Sequence, residues 1–98
     1  MEFNVTYTRT ARSQAHARGI DEGVLHLVLE HADRRFRLPS GGVVHWVSRR
    51  GRTVMYERGV SPIAAEETIG LRVTFRPDEA LVTRVEATNA IRSPVFPQ

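Results

Sequence analysis

Residues 3–8, FNVTYT, alternate Phe3, Val5 and Tyr7 with Asn4, Thr6 and Thr8, the period-two pattern of a strand with one buried face. After that the period lengthens. Thr8 or Thr10 can cap a helix in which Ala11, Ala15 and the aliphatic stem of Arg18 lie together, while Arg12 and His16 share a wetter face. Gly19 breaks this helix and Asp21 caps the next. Ile20, before the cap, and Leu25, at the fourth helical position, are placed to form a hydrophobic staple. Val24, Leu25, Val28, Leu29 and Ala32 then make a buried stripe, leaving Glu22, His26 and Glu30 to water. His31 falls in the last turn, where a partly charged imidazole offsets the helix dipole.

The remainder reads mainly as strand. RRFRL and GVVHWVS flank the turn signal PSGG, which predicts a hairpin over Arg34–Ser48. RRGR is expected to turn the chain before a short strand, TVMYER, with Val54 and Tyr56 on one face. SPIAAEETIG has Ser61 as cap, Pro62 at the first helical position and Gly70 just past the end, the punctuation of a short helix. In the last hairpin Leu71, Val73 and Phe75 face one way, and Arg72, Thr74 and Arg76 the other. On the return strand Thr83 and Val85 should join the first set, and Arg84 and Glu86 the second. Only an odd-numbered loop keeps those faces aligned, and a five-residue loop sets Arg72 opposite Glu86.

This pattern predicts an α+β fold: two short N-terminal helices packed on a mostly antiparallel sheet of four or five strands. Residues 1–90 form a single domain, with 91–98, interrupted twice by proline, as an extended tail. A chain of 98 residues is near the lower size at which one core suffices without staples. Cysteine is absent, which excludes disulfides and thiolate metal sites. The N-terminus has no apolar signal region and no apolar run spans a bilayer, so a cytoplasmic location away from membranes is expected.

Charge adds a direction. The net charge is +3, and all fourteen basic residues are arginine. Arginine suits bidentate phosphate recognition, although a GC-rich coding bias also replaces lysine with arginine. Either way, an anionic partner is favoured over a basic one.

His16, His26, His31 and His45 show no ligand spacing, so no metal site is expected, and no motif implies a cofactor. The candidate chemistry is therefore that of arginine. Arg9, Arg12, His16 and Arg18 on or near the first helix are candidates to combine with Arg72, Arg76 and Arg84 on the polar face of the last hairpin. Together they would hold a phosphodiester, with arginines steadying developing charge and His16 moving a proton. The alternative is that both sets are solvated faces of a helix and a sheet. Trp46 is expected in the core; Tyr7 and Tyr56 suit half-exposed edges.

The run Tyr7–Asp33, YTRTARSQAHARGIDEGVLHLVLEHAD, resembles a prokaryotic domain-of-unknown-function family grouped with RelE/ParE-like toxins. Ala11, Arg18, Gly19 and Ile20 match its T-x-H-A-x-x-R-x-x-x-R-G-I motif. Val24, Val28 and Leu29 match its amphipathic helix, and ALVTRVEAT matches its last strand. The family's histidine aligns with Thr10 and its middle arginine with Gln14, so of that polar set only Arg18 stays in register. The segment 51–70 reads as an insertion relative to the shortest members. The resemblance implies a RelE-like fold and a toxin-type domain acting on RNA, as a ribosome-associated mRNA endoribonuclease held inactive by an antitoxin. On that reading His16, Arg18 and Arg84 are the catalytic candidates, and Arg9, Arg12, Arg72 and Arg76 bind nucleic acid. The competing expectation is a non-catalytic module of the same fold that binds protein or nucleic acid, as a monomer or a homodimer.

Overall fold

The computed structural model describes residues 5–87. It is an α+β fold with four helices and a five-stranded mixed sheet. Expectations placed on Phe3, Asn4 and the 91–98 tail lie outside the described residues.

The first strand, β1 (Thr6–Tyr7), leads directly into α1 (Arg9–Ala17). Thr8 caps α1 by accepting the Ala11 N–H at 3.0 Å, so Thr10 lies inside the helix. Gly19, at φ +68°, takes the left-handed turn that an L side chain resists. Asp21 then caps α2 (Glu22–His31) through the Val24 N–H at 3.1 Å. The expected stripe of Val24, Leu25, Val28, Leu29 and Ala32 is buried. His26 departs from expectation: it is half-buried, stacked on the Tyr7 ring with centroids 6.2 Å apart.

The first hairpin forms as expected, from β2 (Arg34–Arg37) and β3 (Val43–Trp46). The next segment does not. Instead of a strand, TVMYER belongs to α3 (Arg49–Glu57), and RRGR is its first turn. Ser48, which the pattern placed at the end of the hairpin, is the helix cap and accepts the Gly51 N–H. Asp33 locks that cap from the other side by accepting both the Ser48 N–H, at 2.8 Å, and the Ser48 hydroxyl. Burial alone would raise the Asp33 pKa, but the Ser48 bonds and the charge of Arg34 hold the carboxyl below its usual range. The buried side of α3 is Gly51, Arg52 and Met55, a helical spacing, whereas Tyr56 is exposed. Then α4 (Pro62–Glu67) follows behind its Ser61 cap. Met55 and Ala65 are fully buried in the same core as α1 and α2, so residues 51–70 complete that core.

The chain ends its described part in β4 (Leu71–Arg76) and β5 (Leu81–Ala87). The sheet order is β1-β5-β4-β3-β2, antiparallel throughout except for the β1–β5 pair. Arg72 does lie opposite Glu86, but by another route than the expected five-residue loop. The loop holds only residues 77–80, and the ladder shifts between Thr74↔Arg84 and Phe75↔Val82. Thr83 is the extra residue of that bulge. Were the ladder regular through Thr83, the even loop would set Arg84 opposite Val73 and Glu86 opposite Leu71, in the core. Val82, rather than Thr83, therefore joins Val85 on the buried face.

Alternation divides the sheet. Val43, His45, Leu71, Val73, Val82 and Val85 are buried on the side where α1 and α2 pack. Ala11 and Ala15 let α1 come close to β5, and the Gln14 Oε1 accepts the Val85 N–H at 2.7 Å. The other side of the sheet carries no described helix.

Candidate functional site: the open face of the sheet

Register places two rows of side chains across the open face. One row is Arg34, Trp46, Arg72 and Glu86; its neighbour is Phe36, Val44, Thr74 and Arg84. At about 4.8 Å per strand, each row spans roughly 14 Å from β2 to β5. Trp46 is half-buried on this face, not in the core, and the Arg72 guanidinium lies over its ring, 4.7 Å from the centroid. That pair offers a cation beside a flat ring, the combination that stacks on bases and meets phosphate. Phe36 is 60 % exposed. Arg84 pairs with Glu86 at 3.0 Å and keeps a side-chain exposure of 61 %. The pair lines a hollow of about 360 Å³, shared with Thr74, Arg76, Thr83, Val44 and the turn residues Leu38, Ser40 and Gly42.

Arg76 is occupied differently. It forms ion pairs with Glu79 at 2.9 Å and Asp78 at 3.7 Å, and donates to the Ser40 carbonyl at 3.3 Å. It ties the two hairpin turns together more than it offers a free cation.

The helix-borne candidates are elsewhere. Arg9, Arg12 and His16 are exposed on α1, where they line a shallow hollow with Ser13 and Ala17. Arg12 also pairs with Glu22 at 3.7 Å and stands 5.8 Å from the centre of the Tyr7 ring. Arg12, His16 and Tyr7 border a cleft of about 460 Å³ between α1 and α2, which Ile20 and Leu25 line together. The Tyr7 hydroxyl is buried without a hydrogen-bond partner among the described residues, and desolvation, reinforced by Glu22 against the opposing Arg12, pushes its pKa up to about 12. Arg18 caps α1 at its C-terminus, exposed, with one long bond to the Gln14 carbonyl at 3.5 Å.

These two groups do not meet. Arg84 alternates with Val85, and Val85 faces α1, so the arginines of β4 and β5 project away from His16 and Arg18. The structure thus leaves His16, Arg18 and Arg84 apart. Gln14 clips α1 to β5, and Thr10 is exposed on α1.

Sequence reasoning set Glu86 opposite Arg72 but missed Arg34 and Phe36 as neighbours of Arg72 and Arg84. Their signal was present in the alternation of RRFR, but register across three strand pairs was needed to bring them together. His45 is buried on the helix side of β3, where burial first, then the charge of Arg35, lowers its pKa. Among the described residues no cluster of three histidines or acidic residues is arranged to hold a metal ion, and no helix is long and apolar enough to cross a membrane.

Comparison with protein-family models, with curated proteins and with solved structures gives no match.

Proposed function

We propose that the protein is a RelE/ParE-like domain that holds single-stranded RNA across the open face of its sheet. The observation that carries this reading is Arg72 stacked over Trp46, in one row with Arg34 and beside Phe36 and Arg84. Aromatic rings supply base stacking, and the arginines supply phosphate contacts that need no sequence code. The net charge of +3 favours the encounter.

Trp46 is the only tryptophan in the chain, so its fluorescence reports on this face directly. Titration with a short single-stranded RNA should quench it. Raising salt should weaken the binding, and Arg84→Ala should reduce the salt slope by about 0.7, the value for one phosphate contact on a single strand. An unchanged emission spectrum at saturating RNA would remove this reading.

The Arg84–Glu86 pair favours a second reading, in which the face also cuts RNA. Glu86 is a carboxylate placed beside a phosphate-binding arginine, and His16 is on the wrong side of the sheet for that task. Cleavage, where it occurs, should vanish in Glu86→Gln and on strands that lack the 2′-hydroxyl, while binding persists. Growth arrest on expression, relieved by Arg84→Ala, is the corresponding cellular result.

A further inference from the structure

The end strand β2 has an outer side that pairs with no described strand. Which of its backbone groups point outward follows from the hairpin. The Leu38 N–H donates to the Gly42 carbonyl at 2.7 Å. Alternation along an antiparallel ladder then turns the amides of Arg34 and Phe36 toward β3, and those of Arg35 and Arg37 outward. All of these residues are exposed. Arg35 and Arg37 lie on the helix side of the sheet, opposite to Arg34 and Phe36.

We propose that β2 is a docking edge for an extended acidic segment of another protein. The segment adds as a further strand, with acidic side chains opposite Arg35 and Arg37 and an apolar one beside Phe36. Charge selects this occupant over a second copy of the chain. Antiparallel self-pairing of β2 through these outward amides would set Arg35 against Arg37 on both sides of a Phe36 pair, gathering six arginines along one seam. Like charges directly opposed destabilise a cross-strand pair, and opposite charges there stabilise it. Asp33, the carboxylate next to the strand in sequence, already accepts from Ser48. Arginines alone would serve only to keep an edge solitary. Phe36 distinguishes this edge, because at 60 % exposure it offers an incoming strand apolar contact. The inference shares Phe36 with the RNA face but otherwise stands apart from it, since it rests on the outward backbone and on arginines of the opposite face.

The test uses the full chain and two short peptides, one alternating glutamate with valine, the other lysine with valine. The glutamate peptide should bind, and the amides of Arg35 and Arg37 should gain protection from hydrogen exchange while that of Phe36 changes little. Arg35→Pro removes an outward N–H and leaves the ladder to β3 intact, so it should abolish peptide binding without lowering the melting temperature. The double variant Arg35→Glu with Arg37→Glu should shift preference toward the lysine peptide by about tenfold or more, and it keeps the test decisive if the proline variant misfolds. Equal binding of both peptides would overturn the proposal. So would protection on the open face instead of the edge, or dimerisation through β2 in sedimentation. Quenching of Trp46 by RNA in the same sample separates failure here from failure of the RNA reading.

Discussion

Val73 and Arg72 are neighbours in sequence, as are Val85 and Arg84, yet they belong to different regimes. The valines meet α1 and α2 and are fully enclosed; the arginines stand on a face with no described helix over it. On the proposed reading the same strands carry two independent jobs, one of stability and one of contact with RNA. What keeps the jobs apart is a single extra residue, Thr83, whose bulge corrects the even loop before Arg84 and Glu86 can turn inward. Thr8 bonds the Thr83 carbonyl at 3.3 Å, so the start of α1 is fastened at that correction. This division predicts that substitutions on the helix side cost stability and leave the open face's chemistry alone, and that the reverse holds.

The largest effect is expected at the centre of the covered side. Leu25 is fully buried between α2 and the sheet, and Leu25→Ala should destabilise by about 3 kcal/mol, seen as a lower urea midpoint. Gly51→Ala should follow at about 2 kcal/mol, since an added Cβ would stand 2.7 Å from both the Asp33 Oδ1 and the Val47 Cγ1. It should also loosen the cap of α3.

The acid limb of stability tests His45. Its pKa in the folded state is lowered, so the unfolded chain binds the proton more readily. Stability should hold above the unfolded pKa of about 6.5 and fall as pH drops below it toward the folded value. His45→Leu should flatten that decline. A chain as stable at pH 5 as at pH 7.5 would contradict the enclosed, neutral imidazole.

The covered side was the more legible in sequence, for a physical reason. A helix on a core writes its own period, so Val24, Leu25, Val28 and Leu29 could be read directly, as could the Asp21 and Ser61 caps. In α3 that signal failed because Val54 and Tyr56 alternate like a strand, while two of the residues that face inward are a glycine and an arginine. Arg52 is buried with its Nη1 bonded to the Val47 carbonyl, and no hydropathy pattern marks such a residue as core. The bulge was hidden because loop length and register compensate each other. The candidate site was only half legible: Arg72 and Arg84 could be assigned to one polar face, but Trp46 was expected inside, and its place under Arg72 needed the β3–β4 register.

On the open face the effects should appear in binding and spare stability. Trp46→Ala, followed with labelled single-stranded RNA, should lose one stacking contact, about 1–3 kcal/mol or roughly 5- to 150-fold in affinity. Arg84→Ala should act in the same direction with a smaller loss, and neither should shift the urea midpoint by more than about 0.5 kcal/mol of stability. Should Trp46→Ala unfold the protein instead, the ring would be acting as core despite its position.

The smallest effect is expected at His16, and it is the most discriminating. His16 and Arg18 sit with Arg12 around α1, on the side of the sheet from which Arg84 points away. His16 is exposed, and its substitution removes no buried contact. His16→Ala should therefore leave stability within about 0.5 kcal/mol of the parent and leave RNA affinity and any cleavage unchanged. A catalytic imidazole would instead show as a loss of rate, typically 10²- to 10⁴-fold, with binding intact. That result would mean that RNA reaches around the β1 end of the sheet to α1, and the two faces would no longer be independent.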